Sequence, residues 1–301
     1  MKIKQPIPGV FTERAFQDAP GLRAVFGRYK VIDIRTAAEQ YYLSGQNQDA
    51  QQLFTMFDIV MPPFPNCIFE FQSGDREFIF PGQEKTFQFQ DTAVVLTTEP
   101  VSPEEEIKLD NTLPGHEACF SVCVTWIISQ GGKTMIFDDQ PHFYIDRNGS
   151  LVKRNGMMVM DSKTDNLQAI GEMIIVAIAP VLFALTLMHC RNVTLEQVTT
   201  PLPLSNNKSK RRKQIEERKK HSFERHTVVI RDRKGRVVQA GLRQEGASKG
   251  LHWVRGHFHT YTPERPLFGN PKLHGRFWVP AHLAGLNPER VIESNYRLEV
   301  A

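Results

Sequence analysis

The sequence predicts an α+β protein: an antiparallel sheet with a long buried helix, followed by a basic, His/Arg/Trp-rich β lobe. Three observations carry this. Residues 66–155 alternate short aromatic and β-branched runs with turn signals. Residues 173–188 are 16 uncharged residues in a row. Beyond residue 205 the chain turns strongly basic and then strand-like again. The expected division is 1–160 as a helix plus antiparallel-sheet lobe, 161–205 as buried helix and extended connector, and 206–301 as a basic C-terminal β lobe. With 41% hydrophobic and 23% charged residues over 301 positions, the balance is globular and a sizeable core is available.

A helix is expected from "TAAEQYYLSG", where Thr36 as N-cap and Glu39 three residues on make a capping-box signature. The pattern continues through "QNQDAQQLFTMF" until Pro62, Pro63 and Pro65 end it. From Asn66 the period shortens. "CIFEFQ" and "REFIF" flank "SGD", "ACFSVCVTWIIS" and "KTMIFD" flank "QGG", and "HFYID" and "SLVKR" flank "RNG". Asn148-Gly149 favours a type I′ turn. About six antiparallel strands result, with "TEPVSPEEEIKLDNTLPG" as an acidic loop among them.

The apolar helix is expected from about Thr164 to Cys190, with Ser162 or Thr164 as cap. Its uncharged run is shorter than the roughly 20 residues a bilayer requires and holds Pro180. A core helix is the better reading than a membrane span. The N-terminus lacks the apolar core of a secretory signal, which places the protein in the cytoplasm. Cys67, Cys119, Cys123 and Cys190 show no C-x-x-C spacing and read as buried, reduced thiols.

Between Lys208 and Arg236 there are 13 Lys/Arg against four acids, a net of +9, where the whole chain carries only +4. The charge is therefore concentrated. Lys210, Arg211, Arg212, Lys213, Lys219 and Lys220 are candidate phosphate contacts; the alternative is a solvated segment that serves solubility. Beyond it, "RHTVVIRD", "HWVRGHFHTY", "GRFWVPAHLAG" and "VIESNYRLEV" read as strands.

Two-residue alternation along "HWVRGHFHTY" puts Trp253, Arg255, His257, His259 and Tyr261 on one face. The same rule in "GRFWVPAHLAG" groups Arg276, Trp278 and His282. Paired, the strands would present a platform of cations and aromatics. Four readings stay open. Arg and His could hold phosphates while Trp253, Tyr261 or Trp278 stack on unpaired bases. His257 and His259 could serve as acid and base of a metal-independent ribonuclease, with Arg255 on the phosphate. The His-x-His pair could ligate a metal, with His282 as third ligand. Or these side chains anchor the Pro- and Gly-rich loop "TPERPLFGNPKLHG". Asp138, Asp139 and His142, or His116 and Glu117, are weaker metal candidates, since acids at strand ends are usually turn residues. No Walker loop, G-x-G-x-x-G, H-E-x-x-H, G-x-S-x-G or zinc-ribbon spacing occurs, so no cofactor is expected and no metal is assigned.

"ALTLMHCRNVTLEQVTTP", the basic "NNKSKRRKQ", the H-x-x-R-G-H of His252, Arg255 and His257, and the W-x-P-x-H of Trp278, Pro280 and His282 together resemble a family. It is the type V-A anti-CRISPR family that lowers the level of a Cas12a-type effector nuclease, with related phage and mobile-element proteins. The resemblance covers about the C-terminal 120 residues. The longer, acid-flanked "KRRKQIEERKKH" departs from it, and the N-terminal 160 residues show no matching motif. The resemblance implies a counter-defence protein in the host bacterial cytoplasm with two lobes. It also implies partners: the CRISPR effector polypeptide or its N-terminal peptide, and RNA or the translating ribosome, with no membrane. The peptide would be taken up by strand addition at a sheet edge. The competing expectations are an RNA endonuclease and a non-catalytic nucleic-acid-binding protein.

Overall fold

The computed structural model describes residues 10–18, 20–43, 57, 59–72, 77–79, 86–88, 91–112, 117–130, 133–137, 141–154, 157–158, 160–161, 167–198, 205, 207–220, 224–232, 235–238, 252–254, 256–267, 270–280 and 282–284. In chain order come α1 (Val10–Asp18), α2 (Pro20–Phe26), β1 (Lys30–Asp33), α3 (Arg35–Leu43), β2 (Asn66–Gln72), β3 (Glu77–Ile79), β4 (Thr86–Gln88) and β5 (Asp91–Pro100). Then follow α4 (Pro103–Thr112), β6 (Ala118–Gln130), β7 (Lys133–Phe137), β8 (His142–Asp146), β9 (Lys153–Arg154), β10 (Met157–Met158) and β11 (Met160–Asp161). The chain continues through α5 (Leu167–Met188), β12 (Val193–Gln197), α6 (Lys208–Lys220), β13 (Arg225–Ile230), β14 (His252–Val254), β15 (His257–Tyr261), β16 (Gly275–Val279) and β17 (His282–Ala284).

A nine-stranded sheet runs β11-β8-β6-β5-β2-β1-β13-β12, with β7 also on β6. It is mixed. β1 lies parallel to both β2 and β13, and the other pairings are antiparallel. Three layers explain why the inner strands read as unbroken apolar runs rather than as alternation. Val31, Ile68, Ala93, Val95 and Ile127 pack under Phe11, Ala15, Phe16 and Phe26 of α1 and α2. Their sequence neighbours Ile32, Phe69, Val94, Leu96 and Ile128 face the other way, onto α3 and α5. Ile178 to Leu187 of α5 are buried without interruption through Pro180.

Several expectations need correction. The segment expected to be an acidic loop contains α4, because Ser102 and Glu105 form a reciprocal capping box. The Glu105 N–H donates to Ser102 Oγ at 3.3 Å, and the Ser102 N–H donates to Glu105 Oε2 at 2.9 Å. α3 starts one residue before Thr36: the Ala38 N–H donates to the Ile34 carbonyl at 2.8 Å, which makes Ile34 the N-cap residue, and Asp33 Oδ1 just before it accepts the Arg35 N–H at 3.0 Å. The expected continuation of that helix lies outside the described residues. "SGD" does not fold β2 onto β3: β2 pairs with β1 and β5, and β3 pairs with β4.

The "RNG" turn is shifted by one residue. The Gly149 N–H donates to the Asp146 carbonyl at 3.1 Å, so Arg147 and Asn148 occupy the corners and Gly149 takes the left-handed position at φ +81°. That is a three-residue hairpin loop rather than a two-residue one. The boundary expected at 206 does not separate two cores either. β13 lies between β1 and β12, and Trp278 belongs to the main cluster.

Candidate nucleic-acid interface

The basic stretch folds as α6, a 13-residue helix. Asn207 caps it: its Oδ1 accepts the N–H groups of Ser209 at 3.0 Å and Lys210 at 3.3 Å. Lys208, Lys210, Arg211, Arg212 and Lys213 are all exposed. Lys219 and Lys220 lie on the last turn, their side chains outside the described residues.

The helix sits inside a hairpin connection. Gln197 of β12 is paired directly with His226 of β13, and the Val198 N–H donates to the Arg225 carbonyl at 2.8 Å. α6 therefore lies in the connection between two positions that are directly paired in the sheet. Antiparallel neighbours can be joined by about two to five residues, so the fold does not require this arm. Its return end is fixed firmly. The Val31 N–H donates to the Glu224 carbonyl at 3.0 Å, and the Glu224 carboxylate accepts from Lys30 and lies 3.2 Å from His226 Nε2. The Lys30 hydrogen bond, assisted by the Lys30 and His226 charges, holds the Glu224 carboxyl below its ordinary range.

The second candidate surface is divided by strand register. "HWVRGHFHTY" is two strands: β14 pairs with β17, and β15 with β16. In the second pair His257 stands opposite Val279, Phe258 opposite Trp278, His259 opposite Phe277 and Thr260 opposite Arg276. Directly opposed residues share a face. Arg276 and Trp278 therefore lie with Phe258, on the opposite side from His257, His259 and Tyr261.

Trp278 is 1% exposed and cannot stack on a base in this structure. It meets Phe183 of α5 edge-on at 4.9 Å and Phe258 at 4.8 Å, while the Arg276 guanidinium lies 4.1 Å from the Phe258 ring centre. On the other face His257 and His259 are exposed, and the His259 ring is 4.4 Å from half-buried Tyr261. Trp253 and His282 lie on β14 and β17 with side chains outside the described residues, and Arg255 lies outside them altogether. Among the described residues no three His, Cys, Asp or Glu converge as metal ligands. Of the weaker candidates, His142 Nδ1 is 3.1 Å from Ser121 Oγ, Glu117 is exposed, and Asp138, Asp139 and His116 lie outside the described residues.

Sequence reasoning missed how the ribbon is attached. Asn192, in the turn after α5, donates from Nδ2 to the carbonyls of Arg231 at 2.7 Å and Trp278 at 2.8 Å. Its Oδ1 accepts the Trp278 N–H at 2.9 Å. Next to it the Arg191 N–H donates to the Arg276 carbonyl at 2.9 Å, and the Arg191 side chain would lie 3.2 Å from a Cβ on Gly275. Burial, and after it the Arg276 charge, hold the His189 imidazole below its ordinary value. Arg191 and Arg276, with the neutral-favoured His189 imidazole beside them, thus form a basic corner that no sequence spacing announces, because Arg276 comes from a distant segment.

The class defined by these features is a mixed α+β protein whose central sheet carries a cationic helical arm and a His-bearing ribbon. No family model matches the chain, and no curated protein matches it. Among solved structures, the crystal structure of AcrVA2 is similar over 87% of this chain and 73% of that one, at 10% sequence identity and a TM-score of 0.30. A likeness of that size carries no argument about fold or activity.

Proposed function

We propose that this chain is a counter-defence protein of the anti-CRISPR kind, which recognises a CRISPR effector polypeptide and contacts its RNA or translating ribosome to lower effector production. The observation that carries the RNA contact is α6, an exposed cationic arm at the end of a hairpin that needs no such connection. The counter-defence setting rests on the resemblance of the C-terminal motifs to the type V-A family. A peptide could add to the outer edge of β7. β7 is paired with β6, and Ile136 on it is 41% exposed. The test is co-expression of a Cas12a-type effector with this chain, following effector transcript and protein together. Wild type should lower both, and a variant with Lys210, Arg211, Arg212 and Lys213 all changed to Gln should lower neither while remaining folded. Equal potency of the variant removes α6 from the account.

A ribonuclease reading has one observation in its favour, the exposure of His257 and His259 on one face of β15. It requires that the purified chain cut labelled RNA and that His257→Ala or His259→Ala abolish cutting. Inclusion of a chelator reports any metal requirement.

A further inference from the structure

Lys210, Arg211, Arg212 and Lys213 are consecutive and exposed. At about 100° per residue they stand on four different sides of the α6 axis. Contact with a flat anionic surface needs cations on one side only. Surrounding the axis with them has a cost, since Lys208/Arg211, Lys208/Arg212 and Lys210/Lys213 are like charges at helical spacings of three and four, and of the four cations only Arg212 and Lys213 stand at those spacings from Glu216 or Glu217. The same cations crowd the first turn, where the helix dipole is already positive. Among the described residues of the helix, no buried side chain offsets this. Every described side chain of α6 is exposed, Ile215 included at 36%. A helix of 13 residues is marginal in water by itself.

We infer that α6 is completed by a polyanion that encloses it, and that this polyanion is the major groove of a structured RNA stem opened by a bulge or internal loop. The inference rests on the RNA contact proposed above and names the kind of RNA. A single strand offers one line of phosphates. The B-DNA major groove, about 12 Å wide and 8.5 Å deep, takes a helix of about 10–12 Å but leaves its outer side in solvent. The RNA major groove is deeper and in regular A-form too narrow to enter. Once widened, it puts phosphates on both flanks and bases beneath. Neutralising the self-repulsion then stabilises the helix as well as the complex.

The experiment is fluorescence anisotropy of the full chain with four labelled probes: a bulged RNA stem, a perfect RNA duplex of equal length, a single-stranded RNA and a DNA duplex. The bulged stem should bind about tenfold tighter than the rest, and circular dichroism should show helix gained on its addition. Lys210→Gln, Arg211→Gln, Arg212→Gln and Lys213→Gln should each weaken it by a similar factor. Lys210→Gln and Arg211→Gln reduce like-charge repulsion within the free helix, so lost helix propensity does not account for their losses. Losses confined to one side of the helix, or equal binding of single strand and stem, overturn the enclosed-groove inference and leave RNA contact standing. Preference for the DNA duplex overturns it in favour of DNA. Failure to bind any RNA overturns both readings.

Discussion

The β15–β16 ribbon is attached to the body of the protein through two residues of unlike chemistry. Trp278 fills a site between Phe183 and Phe258, and Asn192 ties the same strand to Arg231 through its side-chain amide. Trp278→Ala should destabilise the chain by about 3–5 kcal/mol, read from urea unfolding. Trp278→Phe should cost distinctly less, because it keeps the aromatic contacts and removes an Nε1 that is buried without a hydrogen-bond partner. Asn192→Ala leaves three backbone groups without their bonds and should cost at least about 1–3 kcal/mol. Asn192→Asp should do no better, since two of the three bonds are donated by Nδ2. Exposed His259 should tolerate Ala within about 0.5 kcal/mol. Alternation along "GRFWV" was legible, but it gives two faces without saying which is inner. That choice is made by Phe183, far back in the chain, and by a register that sets Trp278 against Phe258.

At the scale of elements, α4 shows what a local signal can do. Ser102, Pro103 and Glu105 are a complete helix start. The acidic run and the two flanking prolines masked it. Burial pushes the Glu105 carboxyl up, but hydrogen bonds from Ser102 and Ser121 and the nearby His142 charge outweigh this and hold it below the ordinary carboxylate range. A depressed carboxyl contributes stability above its unfolded value and loses it as pH falls through its folded value. Glu105→Gln should therefore lower stability at neutral pH and flatten the acid limb, the variant and wild type converging at low pH, as thermal melts across pH would show. Gly149 makes the opposite kind of demand. At φ +81°, with Met61 Cβ only 2.6 Å from where its own Cβ would stand, Gly149→Ala should lower the melting temperature although the substitution is a single methyl. The turn dipeptide was visible in sequence. Its register was not, because Asp146 Oδ1 accepts the N–H groups of Asn148 and Ser150, both at 2.7 Å, and selects the longer loop.

For the whole molecule, the α+β class follows from patterning, since short apolar runs between turn signals and one long apolar run survive into the fold as sheet and α5. The parallel placement of β1 between β2 and β13 does not follow. It depends on a four-residue strand, "KVID", too short to stand out, and on a partner nearly two hundred residues away. Because β13 closes onto β1, what reads as a separate basic lobe shares the central sheet. Among the described residues, the arm is then a large feature that the sheet does not need.

The most direct test is to replace residues 199–223 with a short Gly-containing turn and to measure thermal unfolding and RNA affinity at two salt concentrations. The account predicts an unchanged melting temperature with loss of most of the affinity and of its salt dependence. Retained, salt-sensitive RNA binding by the armless chain would contradict it and move the contact to the His257–His259 ribbon or the Arg191–Arg276 corner.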